Sequence, residues 1–167
     1  MVYEYCGRRI WIALAFLLLA GTPAVAQTEG AQPPAVAAPD GGELTFNHVL
    51  DKSRIEFTYK PEQQITEAVA NFHKTATNAY NGDTAAIAEG KQLYEQYCAA
   101  CHLKDGKGRI GPNLTDDEWR YPQVGTDKGM FEIIYAGGAG AMQPFGRRIT
   151  QDQILQLMAY VQTFSAK

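Results

Sequence analysis

The sequence predicts an all-α fold carried by residues 84–167, behind an N-terminal extension. Three observations point there. Apolar residues recur at helical spacing in three separate stretches after residue 83. The last of these opens with Thr-x-x-Gln, a helix-start signature. The intervening loops are rich in Gly and Pro and could not form a large core unaided, so something apolar and bulky is expected in the middle.

From the N-terminus, residues 1–26 have the layout of a cleavable export signal. Arg8-Arg9 precedes the apolar run IWIALAFLLLA at 10–20. Gly21-Thr22-Pro23 breaks the run, and Ala24-Val25-Ala26 supplies a small-x-small cleavage site before Gln27. A bilayer-spanning helix takes roughly 20 apolar residues, more than this run has. The mature chain is therefore expected in the periplasm, with cleavage near Ala26 and no stable membrane insertion. Cleavage also removes Cys6 and leaves Cys98 and Cys101. Residues 27–42, rich in Ala, Pro and Gly, read as a flexible linker.

Residues 43–83 form the extension. Ile55, Phe57 and Tyr59 alternate with polar residues, a weak strand signal that Pro61 stops. Ile65, Val69 and Phe72 share one helical face, predicting a helix over 62–75. NAYNGD at 78–83 is turn chemistry.

The first helix of the main unit is expected over 84–97, with Ile87, Leu93, Tyr94 and Tyr97 inward. Gly90 lies inside it, where glycine costs about 1 kcal/mol. It marks either the close approach of another helix or a tolerated surface position. A middle helix is expected over 127–136, with Met130, Phe131, Ile133 and Ile134 apolar and Gly137-Gly138 as its stop. The last helix starts at Thr150. Its hydroxyl accepts an exposed backbone N–H while Gln153 reaches back. Ile154, Leu157, Val161 and Phe164 line one face, with Tyr160 beside them.

A net charge of -3 without a basic stripe argues against a nucleic-acid partner. The chemistry lies in Cys98-Ala-Ala-Cys101-His102. A redox disulfide would need an alternating strand–helix pattern that is lacking here. A zinc site would need a second cysteine pair, and His48 and His73 lie far upstream. Covalent haem attachment needs this spacing: each thiol adds across a haem vinyl group to make a thioether, and the adjacent histidine reaches the iron. One haem c is expected, held by Cys98 and Cys101 with His102 as axial ligand.

Met130 and Met158 stand in helical apolar patterns and read as packing. Met142 stands in the loop 140–146, where no helical pattern demands it, and is the expected sixth ligand. His48 and His73 are the other conceivable ligands. Histidine–methionine ligation favours reduced iron and fills both axial positions, which suits electron transfer rather than catalysis. A ligating histidine is oriented through its second nitrogen, commonly by a backbone carbonyl. The carbonyl of Pro112, in Gly111-Pro112-Asn113-Leu114, is the candidate.

These features resemble the class I c-type cytochromes across roughly 84–167. The resemblance rests on Gly90 and Tyr94, CAACH, the GPNL-like segment, the Met-x-Pro-Phe-Gly loop, and Leu157 with Tyr160. It implies a monohaem class I cytochrome c fold. It supports close helix approach at Gly90, Pro112 as the histidine's acceptor and Met142 as ligand. Trp119-Arg120-Tyr121-Pro122, Thr126-Asp127-Lys128-Gly129-Met130-Phe131 and Gly137-Gly138-Ala139-Gly140-Ala141-Met142 resemble, more narrowly, the cytochromes of methanol metabolism, the cytochrome cL group and its relatives beside lanthanide-dependent methanol dehydrogenases. That likeness implies a PQQ-dependent methanol or alcohol dehydrogenase as electron donor and another cytochrome c or an oxidase as acceptor.

Acidic and basic residues balance at nine each over 85–167, while 27–84 carries eight acids to four bases. The haem end, with Lys104, Lys107, Arg109, Arg147 and Arg148, is thus expected to be locally basic on an acidic molecule, unless these are ordinary solvated charges. Four rival readings accompany the carrier: a general periplasmic carrier for another donor, a haem enzyme with an open iron, a gas sensor in which Met142 is displaced, and a membrane-tethered version of the same carrier should cleavage at Ala26 fail.

Overall fold

The computed structural model describes residues 44–59 and 63–165. The expected signal segment 1–26 and linker 27–42 lie outside the described residues. The described helices are α1 Glu67–Thr75, α2 Thr84–Tyr97, α3 Ala99–His102, α4 Asp127–Ala136 and α5 Gln151–Gln162, with a 3-10 turn at Pro122–Gly125 before α4. Helices α2 and α4 stand where their periodicity puts them. Among the described residues, no helix is long and apolar enough to cross a membrane.

Two upstream expectations need correction. The alternation at Ile55, Phe57 and Tyr59 does not become a strand. The sheet-like feature there is an isolated antiparallel bridge between Asn47 and Arg54. Ile55 is buried and Phe57 half-buried, but Tyr59 is 43% exposed. Among the described residues, no strand lies beside the extended segment to complete a ladder. The helix expected over 62–75 begins at Glu67, because Thr66 takes the N-cap position and its hydroxyl accepts from the Val69 amide at 3.3 Å. Ile65 thereby falls before the helix and is exposed.

Helices α2 and α5 cross backbone to backbone. A methyl group on Gly90 would lie 2.1 Å from the carbonyl oxygen of Gln156, so only a hydrogen fits there. Close approach is thus the reason for the glycine. Below the crossing, the buried Tyr94 ring meets Tyr160 and Phe164 edge-on, each at 5.3 Å between centroids. Ala86 is buried on α2 where Ile87 was expected, and Ile87 is half-buried. Helix α5 opens with the expected reciprocal cap: the Gln153 amide donates to the Thr150 hydroxyl at 3.1 Å, and the Thr150 amide to the Gln153 side chain at 2.9 Å. Thr150→Ala is expected to cost about 1 kcal/mol of stability, read as a lower urea midpoint at unchanged slope.

Helix α4 has two working faces. Phe131 and Tyr135 meet the extension and α1, with Phe131 5.7 Å from Phe46 and 4.9 Å from Phe72, and Tyr135 edge-on to Phe57 at 5.1 Å. On the same side the Asn47 amide donates to Glu132 Oε1 at 2.8 Å, and Lys128 pairs with that oxygen. The amide and the ammonium compensate the desolvation of a carboxylate that is 5% exposed. The other face, with Met130, Ile133 and Ile134, lines a cavity.

Two first-turn aspartates tie the remaining pieces together, where exposed helix N–H groups favour a carboxylate. Asp127 of α4 accepts from the Asn78 amide at 2.8 Å and from the Gln162 side chain of α5. Asp152 of α5 accepts from Thr66 Oγ1 at 2.6 Å and from the Tyr80 hydroxyl at 2.8 Å. His73 is buried, with its Nε2 2.6 Å from Gln151 Oε1, rather than exposed or bonded only to its neighbours.

Candidate haem-binding site

The attachment motif sits where α2 gives way to α3. Cys98 ends α2, and α3 holds Cys101 and His102. After His102 the chain turns sharply. Leu103 takes φ 61° and ψ 162°, a conformation that normally favours glycine. The Tyr94 hydroxyl donates to the Leu103 carbonyl at 2.7 Å. Burial, with Cys98 nearby as a smaller cause, raises the Tyr94 pKa well above the usual phenol range, so this donor keeps its proton. The loop then folds back over α3. The Arg109, Ile110 and Gly111 amides all approach the Cys101 carbonyl, at 3.1, 3.2 and 3.1 Å, and the Gly108 amide donates to the His102 carbonyl at 3.0 Å.

This return orients the imidazole. His102 Nδ1 lies 3.0 Å from the Pro112 carbonyl oxygen. A carbonyl only accepts, so Nδ1 carries the proton and Nε2 keeps its lone pair. A methyl on Gly111 would lie 2.4 Å from His102 Cε1 and 2.7 Å from both ring nitrogens. The bare glycine backbone therefore leaves room for the ring. Gly111→Ala is expected to push the imidazole or the 108–114 loop out of place, costing about 1–3 kcal/mol by overpacking. Chemical denaturation and the optical spectrum of the holoprotein would read both effects.

Cys98, Cys101, His102 and Met142 all line one cavity of about 280 Å³. Its walls are largely apolar, including Tyr97, Leu114, Val124, Ile134, Leu157 and Val161. Burial pushes the free Cys98 thiol up to about 12, which keeps it neutral within this wall. Met142 is held by a tight loop after α4. Gly137 caps the helix at φ 85°, and the Gly138 amide donates to the Met142 carbonyl at 3.1 Å. The Ala139 amide donates to the Tyr121 hydroxyl at 3.3 Å.

Of the other sulfur and imidazole candidates, Met130 is buried and also lines the cavity, while Met158 is buried in the core away from it. His48 and His73 do not line it. Two thiols at attachment spacing, an oriented imidazole, a thioether and an apolar enclosure together fit a c-type haem.

The chain matches the family model for cytochrome c oxidase, cbb3-type, subunit III over residues 85–161. Cytochrome c-L of Methylorubrum extorquens is 33% identical over 92% of this chain and 75% of its own length. This chain belongs to the cytochrome c-L family.

Two solved cytochromes cL agree with that placement. The protein from Methylophaga aminisulfidivorans has a TM-score of 0.71 at 36% identity, covering 72% of this chain and 81% of that one. The protein from Hyphomicrobium denitrificans has a TM-score of 0.69 at 31% identity, covering 72% and 73%. A cbb3-type oxidase subunit FixP from Azorhizobium caulinodans is 33% identical, but the match spans only 39% of that protein. The fold is thus that of a class I cytochrome. The cytochrome binds c-type haem and is an electron-transfer protein, not an enzyme.

The cavity is also lined by Trp119, Arg120 and Tyr121, which the sequence marks only through a family likeness, by Arg148, which it marks only as surface charge, and by Val124, which it does not mark at all. The signal was present as a Trp-Arg-Tyr cluster in a segment without helical periodicity. Large aromatic side chains in a loop need something to pack against, and here it is the cavity.

Proposed function

We propose that this cytochrome is a periplasmic carrier of single electrons, holding one haem and taking electrons from a PQQ-dependent methanol or alcohol dehydrogenase. It passes them to another cytochrome c or a terminal oxidase. The observation that carries this reading is the convergence of an oriented imidazole and a thioether on one apolar cavity beside the two thiols.

In this reading Cys98 and Cys101 would hold the haem through thioether links, and His102 Nε2 and Met142 would supply its iron ligands. When bound, the haem supplies a one-electron iron couple. The Pro112 carbonyl strengthens His102 as a donor by holding its Nδ1 proton. The Met142 thioether and the apolar wall both favour the less charged, reduced state. With an imidazole and a thioether both supplied by the chain, the bound haem would suit one-electron transfer rather than substrate binding.

The choice of donor is supported by the c-L relatives, one of them from a marine methylotrophic bacterium. Export of the mature chain is supported by the signal-like residues 1–26. Residues 84–167 serve as the haem-binding part and 43–83 as an extension, of which Phe46, Phe57 and Phe72 pack against α4. Lys104, Lys107, Arg109, Arg147 and Arg148 are exposed near the attachment and Met142 loops, although Lys107 shares its charge with Asp105 at 3.6 Å. They favour an acidic docking patch on the donor, with encounter weakened by salt.

The test is to mix the oxidised protein with a quinoprotein methanol dehydrogenase from the same organism, plus methanol, and follow the haem bands. Rapid reduction that saturates with cytochrome and slows with salt supports the donor. No reduction, while ascorbate still reduces the haem, contradicts it. A second reading, a general carrier for another donor, is favoured by the cbb3-type family match and would then stand.

A further inference from the structure

We infer that the N-terminal extension sets how firmly Met142 is held, acting through Tyr135 as a positioning residue. This rests on the reading of Met142 as an axial ligand.

Tyr135 is 7% exposed and does not line the haem cavity. On one side it is gripped by the extension. The Thr58 amide donates to the Tyr135 hydroxyl at 2.9 Å, and the Phe57 ring meets it at 5.1 Å and 89°. On another side Tyr135 bears on the limb that follows Met142. A methyl on Gly146 would lie 2.6 Å from Tyr135 Cε2 and Cζ, so the ring rests against bare backbone.

The same limb is bonded to the end of α4. The Phe145 amide donates to the Ile134 carbonyl and the Gly146 amide to the Tyr135 carbonyl, both at 3.0 Å. These carbonyls lie in the last turn of the helix, which lacks intrahelical donors. The Met142 loop is therefore strung between two anchors: the Gly137 cap of α4, and the Phe145-Gly146 limb seated on Tyr135. Where Tyr135 sits fixes the second anchor, and Phe57 with Thr58 fixes Tyr135. Loosening that grip gives the loop slack and makes displacement of Met142 easier.

The test uses the ferric holoprotein and imidazole as a competing ligand, with binding read from the haem bands. Tyr135→Phe keeps the ring and leaves the Thr58 amide without its acceptor. It is expected to bind imidazole about three- to tenfold more tightly than the wild type, the equivalent of one hydrogen bond. Phe57→Leu, altered on the extension itself, should move affinity in the same direction. Leu50→Ala, at an exposed turn of the extension, should leave it unchanged. Unfolding midpoints are measured on the same samples.

If Tyr135→Phe and Phe57→Leu lower the unfolding midpoint but keep wild-type imidazole affinity, the extension is a scaffold only and the inference is overturned. If the wild type binds imidazole as tightly as Met142→Ala does, the ligand reading beneath it fails instead. The two failures are thus distinguishable.

Discussion

Replacing Met142 by alanine is expected to lower the reduction potential and open the reduced iron to carbon monoxide. A thioether is a neutral, soft donor that favours reduced iron. Its removal from the cavity wall takes away that preference and lets water reach the site. A tenfold loss of preference for the reduced form corresponds to about 59 mV for one electron, and the drop is expected to exceed that. Met130→Leu is the control, because Met130 also lines the cavity but belongs to the buried face of α4. It should leave both the potential and carbon monoxide binding close to wild type. Redox titration and carbon monoxide difference spectra check the pair.

Gly90→Ala is expected to destabilise the protein by about 1–3 kcal/mol. The sign is the informative part. On an exposed helix surface the same change would stabilise by up to about 1 kcal/mol, since alanine is the better helix former. Here the added methyl would lie 2.1 Å from the Gln156 carbonyl oxygen and 3.1 Å from the Leu157 amide nitrogen, both backbone atoms of α5. Backbone cannot swing aside like a side chain, so α2 and α5 must move apart. Leu157 and Val161 of α5 line the haem cavity, so the wall moves with the helix. Urea denaturation of the holoprotein measures the loss.

The helices that frame the site were legible because each buries one face. The period of α2 and α4, and the reciprocal cap of α5, are local signals that tertiary contacts do not override. The attachment motif was legible because its chemistry needs neighbours in sequence. Pro112 was legible only as a candidate; the fold-back over α3 brings its carbonyl to 3.0 Å from His102. The role of Gly111 was not legible, since only the folded loop presses it against the imidazole. The extension was least legible. Its alternation at Ile55 and Phe57 reads as a strand, yet both belong to a hydrophobic cluster in which Phe57 meets the rings of Phe46, Phe131 and Tyr135. Pairing between residues some 80 positions apart, such as Thr58 with Tyr135, leaves no local pattern to read.

X-ray absorption at the iron edge of the oxidised wild type and of Met142→Ala tests most directly whether His102 and Met142 hold one haem iron. The expected result is a first shell with a single sulfur in the wild type and none in the variant. A shell of nitrogen alone in the wild type, or a sulfur that survives in Met142→Ala, would contradict the proposed ligation.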